Sequence, residues 1–336
     1  MKVSIKQISE RTGFSPATVS NALNHKKGVN KDTSALIFKT AKEMGYLEEN
    51  RITKIKFVIF KRNGLIIDDT PFFQLMIDGV EKECRNCGYE LMVSTLHRMA
   101  ADYEAQVRWL LEDRDAAVIL LGTELMEDDL KPFYGVKCPL LLLDNWSEDM
   151  AFNGVLINNS DSARRATEYL IGKGHQEIGY LRGEFRIKAF RSRAVGYQIA
   201  LTKAKLEFNR DFTITLGTTV DSAYRHMKQY LERKPKLPTA FFSDNDVIAL
   251  GVMKALQETG VRVPQDISII GFDDLPFSSI SSPALTTLRV SKREMGQVAV
   301  RRIRDMIEMG EDSKLKIQVC TEFIVRDSVA ERPVEK

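Results

Sequence analysis

Cysteine is scarce, with four residues in a chain of 336, too few and too scattered for the disulfide framework that staples small oxidised domains. Cys84 and Cys87 form a C-x-x-C pair, but no second pair and no neighbouring histidine completes a set of zinc ligands. The pair precedes Gly88 near the end of a helical stretch, where ordinary packing accounts for it. The four histidines show neither H-E-x-x-H nor H-x-H spacing, so no metal is expected. No apolar run approaches the roughly eighteen residues of a membrane span. No signal peptide precedes Lys2, so the expected location is cytoplasmic, with no membrane partner. The first strand candidate is followed by Lys61-Arg62-Asn63-Gly64 in place of G-x-G-x-x-G, which speaks against a dinucleotide-dependent dehydrogenase. No Ser/His/Asp, Cys/His or paired-carboxylate constellation stands out. The expectation is a chain that is not an enzyme, with no catalytic residue and no cofactor.

What is present begins at Ser4. The run from Ser4 to Asn24 reads as two short helices broken by Gly13, a helix-turn-helix. Ser4 and Gln7 have the spacing of a capping box. Gly13 supplies the left-handed turn that a glycine takes at little cost. Ser15 is a good N-cap, and Pro16 stands at the first helical position, where a missing N–H is no loss. Val19, Ala22 and Leu23 fall at helical spacing to pack on Ile5 and Ile8, which turns Pro16, Ala17, Ser20 and Asn21 outward as a reading head. Asn30 caps a third helix, Lys31 to Met44, that stops at Gly45. Residues 1 to 60 hold eleven Lys and Arg against five Asp and Glu, whereas the whole chain is only +3. Positive charge is therefore concentrated at one end, as a phosphate-binding head on an uninvolved body would have it.

From Ile55 onward, β-rich runs alternate with helical stretches. The strand candidates are 55–60, 89–94, 116–121, 139–143, 154–157, 177–181, 213–216, 239–242 and 267–271. The helix candidates are 72–87, 101–112, 160–173, 191–203, 222–233, 246–259 and 291–309. Alternation of near-continuous apolar strands with helices implies buried parallel sheets covered on both faces. There are too many strands for one unit, so two are expected, meeting near residue 158.

In order and spacing, Ile5-Lys6-Gln7-Ile8, Gly13-Phe14-Ser15, Thr18-Val19-Ser20, Ala22-Leu23-Asn24, Val29, Thr33 and Gly45-Tyr46 resemble the DNA-binding headpiece of the lactose repressor (LacI/GalR) family of bacterial transcription regulators. The body is similar too, through Asp69-Thr70-Pro71-Phe72-Phe73, Gly174-His175, Asn245-Asp246-Val247, Val263-Pro264-Gln265-Asp266 and Gly271-Phe272-Asp273-Asp274. The resemblance implies an N-terminal all-α helix-turn-helix headpiece on an α/β, two-lobed, periplasmic-binding-protein-like core. The implied divisions are 1–46 for the headpiece, 47–54 for a short linker, 55–157 plus 288–313 for the first lobe, and 158–287 plus 314–330 for the second. It implies a ligand-responsive regulator, a repressor of carbohydrate uptake or metabolism genes that binds double-stranded operator DNA as a homodimer. The alternatives are a transporter's solute-binding protein, disfavoured by the basic head, and a catabolite-control-type regulator with a protein co-regulator.

Open α/β sheets bind ligands beyond the carboxyl ends of their strands. On that rule and the resemblance, the small-molecule effector, with a sugar or sugar phosphate ahead of a purine or other metabolite, is expected to meet Phe72, Phe73, Asp144, Trp146, Arg191, Arg193, Asn245, Asp246 and Asp273. Asp273 would accept hydroxyl hydrogen bonds, and Arg191 would fork onto a pair of ligand oxygens. Each also has a bland role: Phe73 in a core, Asp246 as a helix cap, either arginine in a surface ion pair. DNA contacts are expected from Ser4, Ser15, Pro16, Ala17, Thr18, Ser20, Asn21, Asn24, His25, Lys26 and Lys31, with base edges read by Pro16, Ala17 and Asn21.

The chain departs from the family in four places. Asn158-Asn159 replaces a common Asp-Asn, and no aromatic stands near Thr218-Thr219. Asn21 occupies a position where relatives often carry arginine. Tyr46 is followed by Leu47-Glu48-Glu49-Asn50-Arg51-Ile52 in place of Pro-Asn and a hinge helix whose leucine wedges into the minor groove.

Overall fold

The computed structural model describes residues 3–23, 29–46, 52–68, 71–113, 115–309 and 313–332. The chain divides into two compact units at the boundary between Thr53 and Lys54.

The first unit is a three-helix headpiece: α1 (Ile5–Thr12), α2 (Pro16–Leu23) and α3 (Lys31–Glu43). The Ser4–Gln7 capping box is formed in both directions, and Gly13 takes φ 75° at the end of α1. Ser15 caps α2 by accepting the Thr18 amide at 3.1 Å. Ile8, Val19, Ala22, Ile37 and Ala41 form its sealed core, flanked by Ile5, Phe14 and Leu23. The apolar spacing thus does what amphipathic periodicity requires.

The second unit holds two α/β lobes. Its strands are β1 (Lys54–Lys61), β2 (Glu90–His97), β3 (Ala116–Leu121), β4 (Leu140–Leu143), β5 (Asn153–Ile157), β6 (Ile178–Gly183), β7 (Thr213–Leu216), β8 (Ala240–Ser243), β9 (Ser268–Ile270), β10 (Thr287–Arg289), β11 (Lys316–Val319) and β12 (Glu322–Ile324). Its helices are α4 (Phe72–Cys87), α5 (Tyr103–Glu112), α6 (Asn159–Gly172), α7 (Lys188–Lys203), α8 (Val220–Glu232), α9 (Asp246–Glu258), α10 (Pro276–Ile280) and α11 (Lys292–Met309). The first sheet runs β11-β5-β4-β3-β1-β2 and the second β7-β6-β8-β9, while β10 and β12 pair antiparallel. Strands β3 and β4 are buried at every residue, as a sheet covered on both faces demands.

Strand β11 corrects the expected assignment of 314–330 to the second lobe, because it pairs in parallel with β5 and completes the first sheet. Only the stretch beyond it joins the second lobe, where the Ile269 amide donates to the Ser328 carbonyl at 2.8 Å. Helix α11 lies against α4 so closely that a Cβ on Gly79 would sit 2.1 Å from the Arg293 carbonyl oxygen. The chain therefore crosses between lobes three times, after β5, before α11 and after β11.

Candidate effector cleft and reading head

On α2, Pro16 and Ala17 are exposed and Thr18, Ser20 and Asn21 half-exposed, with Val19 and Ala22 turned into the core. Lys31 is exposed at the start of α3. Ser4 and Ser15 are exposed but engaged in their caps. Asn24, His25 and Lys26, and the linker from Leu47 to Arg51, lie outside the described residues.

Between the two lobes a cleft of about 440 Å³, part of it open to solvent, is lined by residues that follow the carboxyl ends of strands in both sheets. Six of the nine expected effector residues line it: Phe72, Phe73, Asp144, Arg193, Asn245 and Asp273. Phe72 and Phe73 open α4 with their rings edge-on, 5.1 Å between centroids. Asn245 is the N-cap of α9, its side chain accepting the Ile248 amide at 3.0 Å.

Three expected residues are not brought into the cleft. Arg191 projects from α7 into solvent. Trp146 is half-buried, with the ammonium groups of Lys316 and Lys188 4.4 and 5.5 Å from its ring. Asp246 is sealed beneath the surface, accepting from Ser278 Oγ, Thr287 Oγ1 and the Leu275 amide at 2.6, 2.6 and 2.9 Å. That makes it a brace for the second lobe's strand ends rather than a ligand acceptor. The cleft also uses Ile66, Thr123, Ile187, Ala189, Phe190, Thr218 and Val247, which sequence reasoning missed.

Two carboxylates dominate the polar lining. Asp144, from the first lobe, accepts the Thr123 hydroxyl on Oδ2 at 2.7 Å, while its buried Oδ1 has no partner. Burial pushes its pKa up to about 6. Asp273, from the second lobe, is pushed up to about 7 by burial, against the pull of Arg193 and Lys292 and with help from Asp246 and Asp144. Asp144 has φ 58° and Asp273 φ 118°. The latter is a costly conformation for a residue with a Cβ, of the kind found where a site must hold a side chain in place.

Arg193 is already committed. Its guanidinium donates to Asn159 Oδ1 at 2.8 Å, to the Asp244 carbonyl and to Asp273 at 3.4 Å, and it lies 3.6 Å from the Phe272 ring centroid. Lys292 donates to the Asp273 and Asp274 carbonyls instead of turning a charge into the cleft. The lobes also touch directly. Thr218 donates to the Leu65 carbonyl at 3.2 Å, and Lys188 donates to the Trp146 carbonyl at 2.7 Å and to Glu127. Among the described residues no group of three or more His, Cys, Asp or Glu could hold a metal, and no helix is long and apolar enough to cross a membrane.

Residues 4–49 match bacterial regulatory proteins of the lacI family, and residues 167–329 match a periplasmic binding protein-like domain. The chain is 30% identical over 332 residues to the HTH-type transcriptional repressor PurR of Pasteurella multocida, covering 98% of this chain and 99% of that one. The PurR of Haemophilus influenzae is 30% identical over 331 residues, with 97% and 98% covered. Among solved structures, the transcriptional regulator CelR in complex with cellobiose superposes with a TM-score of 0.74 at 25% identity, over 97% of this chain and 100% of that one. The Lac repressor bound to ONPG in its repressed state gives 0.71 at 25%, over 98% and 100%.

Proposed function

Since the chain belongs to the lacI family of bacterial regulatory proteins, as a ligand-responsive, DNA-binding transcriptional repressor, we propose that its effector is a neutral, hydroxyl-rich small molecule, a sugar in preference to a sugar phosphate. The observation that carries this reading is the buried, unpartnered Oδ1 of Asp144 in a cleft where Arg193, the arginine among the described lining residues, is already bonded. A buried acceptor without a donor is costly, and ligand hydroxyls relieve it. A phosphate would bring two negative charges against two carboxylates, with no uncommitted cation among the described lining residues to receive them. Phe72, Phe73 and Phe190 offer apolar faces to the carbon side of a sugar ring. The cellobiose complex of CelR supports the same class of ligand.

The protein acts in the cytoplasm as a homodimer, two α2 helices entering successive major grooves of a near-palindromic operator about 34 Å apart. Asn21, Pro16 and Ala17 read base edges, while Ser15, Thr18, Ser20 and Lys31 hold phosphates. Genes for carbohydrate uptake or metabolism are the targets. Both cleft carboxylates serve as ligand acceptors, with no catalytic step. Effector binding biases the lobe arrangement only by its preference for one state.

Calorimetric titration of the full chain with a panel of neutral mono- and disaccharides and their phosphate esters tests this. A neutral sugar binds, its affinity falls at least tenfold in Asp144→Ala, and its phosphate ester binds more weakly. An ester that binds more tightly than its parent sugar overturns the assignment.

A further inference from the structure

The loop after β1, where a dinucleotide fold would cradle a phosphate, does hold an anion, and the anion is the chain's own. Glu124 is completely buried and pairs with no cation among the described residues. Its Oε2 accepts the amides of Arg62, Asn63 and Gly64 at 2.9, 3.1 and 2.9 Å, and its Oε1 those of Ile66 and Ile67 at 2.9 and 3.2 Å. Five successive-turn amides converging on one carboxylate form the concave nest that protein loops otherwise offer to anionic ligands. Two consequences of that capture face the cleft. Ile66 is one of its walls, and the Leu65 carbonyl, held between captured amides on either side, accepts the hydroxyl of Thr218 from the opposite lobe.

We propose that Glu124 is a positioning residue for effector response: by organising residues 62–67 it sets both the shape of the cleft wall at Ile66 and the lobe-to-lobe bond between Leu65 and Thr218, and so the readiness of the lobes to close. A carboxylate suits this task and a carboxamide does not. Both oxygens of Glu124 accept, whereas glutamine would turn an N–H₂ donor toward two or three backbone N–H donors. The effect must pass through backbone, because Glu124 itself does not line the cleft. The link to effector response rests on the cleft being the effector site; lobe closure can be measured without any effector, so the two readings fail separately.

The experiment uses the full-length, effector-free chain. Spin labels are placed by bio-orthogonal chemistry at Glu104 on α5 and Gln229 on α8, one on each lobe, and the inter-lobe distance distribution is compared across wild type, Glu124→Gln, Thr218→Val and the double variant. Amide hydrogen exchange of residues 62–67 is followed in parallel. Glu124→Gln is expected to accelerate exchange at those amides at least tenfold and to broaden the distance distribution toward longer values. Thr218→Val should broaden it while leaving the exchange of Asn63 and Gly64 slow, which covers the case in which Glu124→Gln fails to fold. The double variant should be no more open than Glu124→Gln alone, since both act through the same bond. A loop that exchanges fast in Glu124→Gln beside an unchanged distance distribution reduces Glu124 to a local structural role. An unchanged distribution in Thr218→Val removes the Leu65 bond from closure, and either result overturns the proposal.

Discussion

Replacing Asp273 by asparagine tests whether the cleft really stores a buried charge. In the folded chain its carboxyl is pushed up to about 7 from the ordinary 3.8 by burial, so folding disfavours the ionised form. The sign follows from linkage: a carboxyl raised on folding costs nothing below about pH 3.8, and the cost grows as pH rises until it levels off above about 7. From those two values, the carboxyl of Asp273 destabilises the fold by about 2 kcal/mol at pH 5 and about 4 kcal/mol at pH 8. Asparagine keeps the shape, and the guanidinium of Arg193 keeps Asn159 and the Asp244 carbonyl. Asp244, also raised by burial, acts alike in both proteins and cancels in the difference, while Asp144 and Asp246, which repel the Asp273 charge, are relieved of it in the variant and add to the gain in the same direction. Asp273→Asn should therefore gain on wild type by roughly 2.5 kcal/mol between pH 5 and pH 8. Urea unfolding followed by tryptophan fluorescence suits the measurement, because Trp109 and Trp146 both belong to the effector core. Parallel pH profiles for the two proteins would refute the reasoning, placing Asp273 in contact with water and ordinary in its ionisation. The same variant should lose effector affinity while retaining operator affinity.

Asn21→Arg should move base preference toward guanine at one position per half-site by about 1 to 3 kcal/mol, since arginine pairs with guanine O6/N7 and asparagine with adenine N6/N7; selection from random DNA reads this directly, and an unaltered site removes Asn21 from base readout. Lys188→Met keeps the aliphatic stem but deletes the donors to the Trp146 carbonyl and Glu127. It should weaken effector binding by roughly 1 to 2 kcal/mol and enlarge the radius of gyration in X-ray scattering, and an unchanged radius would show that the bond does not hold the lobes together. With Leu47-Glu48-Glu49 where relatives carry Pro-Asn and a hinge helix, the operator should bend little at its centre. A central kink of about 40° or more in circular-permutation gel shifts would contradict this.

The elements that sequence displayed were those whose signal is local. The all-apolar run Ala116–Leu121 and the alternating run Thr213–Leu216, set between turns, were legible to the residue, as was the helix opened by Phe72 and ended before Gly88. Strands β10, β11 and β12 were not, because each has only three or four residues, β11 and β12 bury none of theirs, and the two that β10 buries are too few to show a period. Only pairing with distant strands makes them strands. In the cleft, acidic residues at strand ends were readable from the fold rule, and Asp144 and Asp273 line it. The choice between Arg191 and Arg193 could have been made from periodicity. On α7, Ala189, Phe190, Gly196, Tyr197, Ala200 and Leu201 are buried, and Arg193 falls on that stripe while Arg191 does not. A charge on an apolar stripe is the signal that was there to be used. Glu124 gave none, since its five donors come from backbone amides about sixty positions away, and backbone donors carry no mark in a sequence.

The order of strands in the first sheet also dictates when a ribosome can deliver a working protein. The headpiece core closes within the first 46 residues and can form while the rest is still being made. The first lobe cannot. After Ile157 emerges, synthesis proceeds through the whole second lobe before α11 and β11 appear, a stretch that takes about 10 to 30 s at roughly 5–20 residues per second. Throughout that interval β5 has an open edge, and the apolar surface later covered by Met295, Ala299, Val300 and Ile303 stays bare, a combination that invites pairing between nascent chains on neighbouring ribosomes. Every newborn copy thus carries a folded DNA-reading head before it has a cleft to regulate it.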